Sequence, residues 1–366
     1  MSSSKLINNI KKNIAESEEG YLYFDQFMEI SLYSDKGFFN SGSVRSSRSG
    51  DFLTSPEVSE YFGKVIFNWI KKNFNETKLQ ILELGAGTGK LSRDIANSNQ
   101  DRDLIFNFVE KSDPAIDSIS KLFPKSSIVK TLDDLQFLGD TKLVVIGNEI
   151  LDNIPCAIAL VDKKDWKEKA VKVRNNKLEY CLVKPRGETT RWINDNYGNE
   201  KPDFEVEIQT NAEAYLDKVI NMLNPDAVLL FDYGYHQEER IDKPYNSLLR
   251  TYQDHHLGPD PILFPGETDI TYDINFTSLL NMIDGELFHT SIRTQRDFLF
   301  ENGLGEYITK LTENRSNEKD LELIKTNSDL LSMKTISDEN GLGSCLLYTS
   351  DAADEGLGVD LGGRRI

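Results

Sequence analysis

Three glycines stand at alternate positions, Gly85, Gly87 and Gly89, between an apolar run and a segment with helical periodicity. A turn without side chains lets the main chain lie directly against a flat, polar or phosphorylated ligand. A P-loop is excluded, because its spacing and its magnesium-binding hydroxyl are both missing. A dinucleotide fingerprint is excluded as well, because Lys90 stands where G-x-G-x-x-G requires the third glycine.

Two acids mark the ends of apolar runs beside this turn. Glu83 lies at the end of the first run, and Glu110 closes the next one, where folds of this kind place a ribose-binding acid about 20 residues on. S-adenosyl-L-methionine fits such a turn, because it carries a ribose diol and no phosphate. We therefore predict this cofactor, with Glu110 on its ribose and Glu83 ordering the turn or meeting its amino group. The alternative is a plain strand–helix turn beside a solvated acid.

Alternating apolar runs and helical patterns must position these residues. Predicted strands cover 79–84, 104–109, 127–131, 143–147, 227–234 and 287–294, and predicted helices cover 88–98, 113–122 and 211–223. This βαβ alternation predicts an α/β fold with a parallel sheet and helices on its faces. Thr210 and Glu213 have the spacing of a capping box.

Two segments break the alternation. After the fourth strand, short alternating runs separated by turn residues predict antiparallel strands inserted into the core. Residues 235–270 carry Pro and Gly with little periodicity, and we expect a long ordered loop there.

Composition limits the classes of function. The net charge of −18 repels phosphate backbones, and no basic patch is evident, so we expect no nucleic-acid partner. Three cysteines without a CxxC pair argue against structural zinc and disulfides, and no apolar run is long enough to insert into a membrane. The N-terminus predicts an amphipathic helix and no targeting signal, and we expect a cytoplasmic protein.

The last 22 residues, 345–366, differ in character from the chain before them. The stretch CLLYTSDAADE resembles one reading frame of a transposon adaptor used in sequencing libraries. We therefore expect residues 345–366 to be a non-native tail, with the natural chain continuing differently after about Ser344 and its last strand missing. The alternative is a genuine flexible tail.

Several motifs carry a family resemblance across about residues 20 to 344. They are FMEISLY, GFF and GDFLTSPEVSEYFG within residues 27–63, then GNEILDNIP, FDYGY, LLRTYQDHH and PGETDITYDINF. Together they resemble the MidA family of class I S-adenosyl-L-methionine-dependent methyltransferases. Relatives in that family include the mitochondrial complex I assembly protein arginine methyltransferase. One departure is Ser34-Asp35, where the family often has proline.

The resemblance implies a Rossmann-like class I methyltransferase sheet with helices on both faces, an N-terminal helical lid and an inserted antiparallel β/loop region. It implies a protein substrate, such as a respiratory complex subunit, methylated on arginine during complex assembly. The expected divisions are a lid (1–75), core segments (76–160, 206–234 and 275–344), a β insertion (161–205), a substrate-side loop (235–274) and the tail (345–366). A small-molecule methyltransferase and a non-catalytic assembly chaperone that binds the cofactor remain alternatives.

An arginine acceptor needs carboxylates, because its guanidinium is charged, delocalised and a poor nucleophile. Asn148, Glu149 and Asp152 follow the fourth predicted strand, at the sheet edge where ligands bind. We predict Glu149 as the main guanidinium ligand, Asp152 as its support on the same helical face, and Asn148 as a holder of cofactor or substrate. The alternative is that Asn148 caps a helix whose first turn carries two solvated acids.

Further candidates lie at other loops. Asp232 ends the fifth strand and either orients substrate or supports the pocket, with a turn-forming Asp as the alternative. Asp51, Thr54 and Ser55 belong to the predicted lid over the cofactor, although Thr54 or Ser55 could also cap a helix that begins at Pro56.

His255 and His256 stand in the substrate-side loop and lack the further ligands that a metal site needs. A substrate contact, together with Arg250 and Tyr252, is the favoured interpretation.

Overall fold

The computed structural model describes residues 2–45, 53–99, 101–136, 141–253, 256–283, 288–315 and 319–352. The strands are β1 (Tyr21–Tyr23), β2 (Lys78–Leu84), β3 (Asp103–Val109), β4 (Ser127–Val129), β5 (Leu143–Asn148), β6 (Ala157–Asp162), β7 (Asp165–Arg174), β8 (Lys177–Val183), β9 (Val206–Ile208), β10 (Ala227–Asp232), β11 (Gly234–Tyr235), β12 (Leu249–Gln253), β13 (His256–Leu257), β14 (Asp269–Tyr272), β15 (Ile274–Asn275), β16 (Phe288–Thr294) and β17 (Leu346–Ala352). The helices are α1 (Ser2–Glu16), α2 (Phe24–Tyr33), α3 (Ser55–Val58), α4 (Glu60–Asn73), α5 (Lys90–Ser98), α6 (Asp113–Leu122), α7 (Gly187–Tyr197), α8 (Thr210–Leu223), α9 (Phe276–Met282), α10 (Gln295–Glu301), α11 (Leu304–Asn314) and α12 (Asp320–Ile336).

A seven-stranded sheet forms the centre of the described chain, in the order β16-β17-β10-β5-β2-β3-β4. The neighbours from β10 to β4 are parallel, and β17 is antiparallel to both β10 and β16. The predicted α/β fold with a mostly parallel sheet is confirmed. The predicted strands agree with the structure to within a few residues, because long buried apolar runs bounded by turn residues are strong strand signals.

Both faces of this sheet are buried, which is why its strands are apolar at nearly every position. Leu82 and Leu230 point into one core, which the N-terminal helices α1 and α2 help to cover. Ile81 and Phe231 point into the opposite core, under α4 and α10. The Phe231 ring meets Phe62 of α4 edge to face at 4.9 Å, and each such buried side chain contributes about 1.5–3 kcal/mol.

The predicted antiparallel insertion is present and larger than expected. It begins at β6, and β6, β7, β8 and β9 form one antiparallel sheet that also includes β1 from the N-terminal segment. Arg186 links this sheet to the N-terminal segment, because its guanidinium binds both Glu168 of β7 and Asp25 of α2. The insertion therefore packs against the N-terminal helices, although it follows the core strands in the sequence.

Two local predictions are wrong. The N-cap of α8 is Gln209 instead of Thr210, and Glu213 accepts hydrogen bonds from Trp192 and Ser278 instead of closing a capping box. Residues 235–270 are not a plain loop, because they contain β12 and β13, which join β14 in a small three-stranded sheet. Short strands between Pro and Gly residues have too few positions to reveal a period.

The suspected tail takes part in the sheet. Leu346–Ala352 form β17, which pairs with β10 on one side and β16 on the other. The expectation that these residues take no part in the fold is therefore wrong, whereas the missing native strand stays a prediction. The non-native origin of residues 345–366 stays a prediction, and residues 353–366 lie outside the described part of the chain. No helix in the described ranges is both long and apolar enough to cross a bilayer.

Candidate active site

The register of the central sheet places the predicted site residues side by side. Leu84 at the end of β2 pairs with both Val109 of β3 and Gly147 of β5. On the other side of β5, Asn148 pairs with Phe231 of β10. The residues that follow these strands therefore meet at one edge of the sheet, as predicted for ligand-binding residues in parallel sheets.

The glycine turn has the backbone conformation that its sequence requires. Gly85, Gly87 and Gly89 all have positive φ, at +62°, +53° and +76°. At Gly85 a Cβ atom would also lie 3.2 Å from Cδ1 of Ile150. The turn thus needs glycine for its conformation and for its close approach to the loop after β5.

Glu83 and Glu110 hold the turn from two sides. The Glu83 carboxylate accepts a hydrogen bond from the Ser92 hydroxyl on α5, and burial raises its pKa to about 8. Oε2 of Glu110 accepts from the Gly87 N–H at 3.0 Å, and Oε1 accepts from the Ser112 N–H at 2.8 Å. Burial raises the pKa of Glu110, and these backbone donors oppose the rise. Each carboxylate oxygen keeps a lone pair for a ligand.

Glu149 occupies a strained position directly after β5. Its φ of +52° lies in the left-handed region, which non-glycine residues rarely adopt outside functional or turn positions. Oε1 of Glu149 accepts a hydrogen bond from Nδ2 of Asn148 at 3.1 Å. Burial, followed by the charge of Asp152, raises the pKa of Glu149 to about 8. Oδ1 of Asn148 is buried and has no hydrogen-bond partner among the described residues.

Glu149 and Asp152 do not share an α-helical face, so that prediction is wrong. Leu151–Asn153 form a single 3₁₀ turn, and Glu149 precedes it in the left-handed conformation. The two acids are nevertheless close enough for the charge of Asp152 to raise the pKa of Glu149. The cap-and-first-turn alternative is excluded, because no α-helix begins at Asn148.

Asp152 is buried, with one satisfied oxygen and one unsatisfied oxygen. Oδ2 accepts a hydrogen bond from the Thr271 hydroxyl at 2.5 Å. Oδ1 has no hydrogen-bond partner in the described chain. Burial raises the pKa of Asp152 to about 6, while the Thr271 hydroxyl and the Arg250 charge hold it down.

Asp232 organises the loop that carries these acids. Its Oδ2 accepts from the backbone N–H groups of Ile150, Leu151 and Asp152, at 3.1, 2.7 and 3.3 Å. Its Oδ1 accepts from the Tyr233 N–H at 2.9 Å. The side chain is fully buried, so Asp232 acts as a positioning residue that supports the pocket and does not contact the substrate.

Two cavities meet at Glu149. The first, of about 110 Å³, lies over the glycine turn and is lined by Glu83, Glu110, Asn148 and Glu149 among others. The second, of about 820 Å³, is lined by Glu149, Asp152, Tyr233, Arg250 and Tyr252 among others. A ligand in each cavity would therefore meet the other at Glu149. Arg250 and Tyr252, for which the sequence predicts a substrate contact, both line this second cavity.

The N-terminal segment forms one wall of the first cavity. Thr54 lines it, and Glu57 accepts a hydrogen bond from the Thr88 hydroxyl in the glycine turn. Thr54 stands at the N-cap position of α3 without a side-chain cap bond. The Ser55 hydroxyl exchanges hydrogen bonds with the Gln295 side chain. The backbone N–H of Ser55 also bonds Glu149. Asp51 lies outside the described residues.

The small sheet supplies a wall that the sequence interpretation missed. Asp269, Thr271 and Asp273 alternate along β14 and its end, and all three line the second cavity. Ile270 and Tyr272, between them, are fully buried in the core. The alternation D-I-T-Y-D was a readable signal of a half-buried strand.

A comparison with family models settles the class of this protein. The model described as "Putative S-adenosyl-L-methionine-dependent methyltransferase" matches residues 61–292. The chain belongs to this methyltransferase family. The predicted resemblance is thereby confirmed.

Relatives and solved structures agree with this assignment. The methyltransferase is 25% identical over 343 residues to "Protein arginine methyltransferase NDUFAF7 homolog, mitochondrial" of Caenorhabditis elegans, covering 84% of this chain and 78% of the relative. It is 25% identical over 354 residues to "Protein arginine methyltransferase NDUFAF7, mitochondrial" of Xenopus tropicalis, covering 86% and 79%. A Burkholderia thailandensis protein crystallised with S-adenosyl-homocysteine shares its fold, with a TM-score of 0.81, 20% identity, and coverage of 96% and 92%.

The cofactor of this methyltransferase is S-adenosyl-L-methionine, and the residues of the first cavity fit it. The ligand carries a sulfonium, an ammonium and a ribose diol, and the cavity offers the carboxylates of Glu83, Glu110 and Glu149. The orphaned Oδ1 of Asn148 adds a buried acceptor. When bound, the cofactor supplies an electrophilic methyl group on a cationic sulfur. Glu110 and the main chain of the glycine turn would hold it, as the sequence predicts.

His256 is exposed in β13, and His255 lies outside the described residues. Where the structure describes the chain, it places no group of three or more His, Cys, Asp or Glu side chains to hold a metal ion.

Proposed function

We propose that this methyltransferase transfers the methyl group to arginine side chains of a partner protein. The observation that carries the proposal is the pair of carboxylates, half-buried Glu149 and buried Asp152, where the cofactor cavity meets the larger second cavity. The free Oδ1 of Asp152 leaves one buried acceptor for a ligand N–H group. The names of the relatives from Caenorhabditis elegans and Xenopus tropicalis support the same acceptor.

The two carboxylates suit the chemistry of a guanidinium. Ionised Glu149 and Asp152 hold two of its nitrogens and draw positive charge toward them, which leaves the third nitrogen more nucleophilic. Methyl transfer forms an N–C bond as the methyl–sulfur bond breaks and leaves a neutral thioether, and the attacking nitrogen must then lose a proton. Glu149, with its pKa raised to about 8, is the group suited to accept that proton near neutral pH.

Asp232 and Thr271 keep the acids in place for this role. Asp232 fixes the main chain of Ile150, Leu151 and Asp152, and Thr271 fixes the Asp152 carboxylate. A pair held in this way is pre-organised before the acceptor arrives, which avoids reorganisation during the reaction.

The partner is proposed to be a protein that is methylated during assembly of a complex, such as a respiratory complex subunit. The second cavity is large and open at the sheet edge, which suits a side chain presented by a polypeptide. The net charge of −18 favours a partner with net positive charge. We also propose a cytoplasmic location, because the three cysteines are free thiols in the structure.

The test is methyl labelling of a cell lysate followed by mapping of the labelled residue. Wild-type protein and Glu149→Gln are each incubated with lysate and isotope-labelled S-adenosyl-L-methionine. We expect labelled arginine with the wild type and none with Glu149→Gln, although both bind S-adenosyl-homocysteine in calorimetry. Glu179→Gln, an exposed carboxylate on β8, is the matched control and should label normally. Labelling confined to lysine, carboxylates or small molecules would overturn the proposal.

A further inference from the structure

The second cavity has a cationic end beside its acidic end. Lys243 Nζ lies 2.6 Å from Oδ2 of Asp273, and Arg250 Nη2 donates to Oδ1 of the same carboxylate. Two cations therefore share the carboxylate of Asp273 at this end of the cavity. All three residues line the cavity.

Only part of the Arg250 guanidinium is hydrogen-bonded within the described chain. Within the described chain its only hydrogen bond runs from Nη2 to Asp273, although a guanidinium carries five N–H donors. Its Nε is buried and has no partner among the described residues. The side chain is still 29% exposed, so a ligand in the cavity contacts the guanidinium. An anchored, under-satisfied arginine of this kind is suited to bind an oxyanion through its fork.

The acidic and cationic ends are neighbours on one sheet face. Arg250 of β12 stands directly opposite Thr271 of β14, and residues opposite each other in an antiparallel pair have side chains about 5 Å apart. Thr271 in turn bonds Asp152. No ion pair joins Arg250 to Asp152 in the described part of the chain. Oδ1 of Asp152 and Nε of Arg250 therefore both keep a hydrogen-bonding position for a ligand that carries both signs.

We propose that Arg250, with Lys243, binds a carboxylate of the acceptor that lies a few bonds from its guanidinium. This inference deepens the proposed function, because it takes Glu149 and Asp152 as the guanidinium end. A carboxylate matches the fork of Arg250 and the ammonium of Lys243 better than a neutral amide does. The carboxylate could belong to an acidic residue next to the acceptor arginine in a polypeptide, or to the arginine's own α-carboxylate.

Matched probe pairs test this inference by binding alone. The first pair is L-arginine and agmatine, which differ by the α-carboxylate. The second pair is acetyl-Arg-Glu-amide and acetyl-Arg-Gln-amide, which differ by a side-chain carboxylate. Each probe is titrated by NMR into the S-adenosyl-homocysteine-bound protein. We expect the acidic member of at least one pair to bind about tenfold more tightly, and the pair that responds identifies the source of the carboxylate.

Variants of Arg250 assign the effect to its guanidinium. Arg250→Met should abolish the preference while the binding of the neutral member of each pair changes little. Arg250→Lys keeps the charge beside Asp273 but lacks the fork, so it should fold normally and still lose most of the preference. Arg174→Met, an exposed arginine of β7, is the control and should bind like the wild type. Thermal unfolding confirms that each variant is folded.

The outcomes separate this inference from the proposed function. Equal binding within both pairs, or a preference that survives in both Arg250 variants, would overturn the carboxylate site and leave arginine methylation standing. If no guanidinium probe binds and no arginine is labelled in lysate, the proposed function fails together with this inference.

Discussion

The hydrogen bond from Thr271 to Asp152 gives the sharpest prediction. Thr271→Val replaces the hydroxyl with a methyl group of similar shape, so the buried carboxylate loses the donor that lies 2.5 Å from Oδ2. Its other oxygen already lacks a partner within the described residues. Removing a hydrogen bond to a buried charged group costs about 1.5–3 kcal/mol, whereas one to a neutral group costs about 0.5–1.5 kcal/mol. The cost therefore depends on whether Asp152 is ionised.

The sign of the pH dependence follows from linkage. The folded pKa of Asp152 is raised to about 6, above its ordinary value of 3.8. The folded state therefore holds this proton more tightly than the unfolded state, and its contribution to the free energy of unfolding is lost as pH rises through about 6. Loss of the Thr271 donor raises the folded pKa further, by about 1, because hydrogen bonds to the charged and neutral forms differ by about 1–1.5 kcal/mol. The variant should accordingly be destabilised more at pH 8 than at pH 5.

Urea unfolding of the wild type and Thr271→Val at pH 5 and pH 8 measures this difference. We expect destabilisation of about 1.5–3 kcal/mol at pH 8 and about 1 kcal/mol less at pH 5. Thr251→Val is the matched control, because Thr251 is also buried in the small sheet but donates to a neutral acceptor, the carbonyl of Pro259, at 2.7 Å. Its cost should be equal at both pH values. Equal costs for Thr271→Val at pH 5 and pH 8 would show that Asp152 does not titrate as described.

The remaining predictions concern the cofactor turn, the loop after β5 and the proton acceptor. Gly87→Val should weaken S-adenosyl-homocysteine binding at least about tenfold in calorimetry, because valine resists the φ of +53°; unchanged affinity would place the cofactor elsewhere. Asp232→Asn should lower the free energy of unfolding by at least about 2 kcal/mol, since an amide cannot accept all four backbone N–H groups; urea unfolding within error of the wild type would contradict this role. Methyl transfer to a lysate acceptor should rise with pH through about 8 as Glu149 ionises, and a rate that is flat between pH 6.5 and 9 would exclude Glu149 as the proton acceptor.

The sequence predicted the sheet and the cofactor turn because the signals there are local. LQILEL and LVVIG are short apolar runs bounded by turn residues, and each became a buried strand. The glycines at 85, 87 and 89 have the conformation that only glycine adopts readily. Placing acids at the carboxyl ends of parallel strands then followed from topology alone.

The failures come from contacts between residues far apart in sequence. The turn at Glu149–Asp152 was expected to be helical, but Asp232 captures three of its N–H groups and forces another conformation. Thr210 lost the N-cap to Gln209, whose side chain bonds the main chain of Asn275. Local helix propensity cannot reveal a hydrogen-bond partner that lies 66 or 82 residues away in the sequence.

The alternation along β14 has a consequence for how this protein can change during evolution. Asp269, Thr271 and Asp273 face the cavity, while Ile270 and Tyr272 belong to the hydrophobic core. Substitutions at the odd-numbered positions can therefore alter which acceptor is preferred while the even-numbered positions keep the strand anchored. A single substitution at a cavity-facing position could then change the acceptor specificity without repacking of the core residues on either side of it.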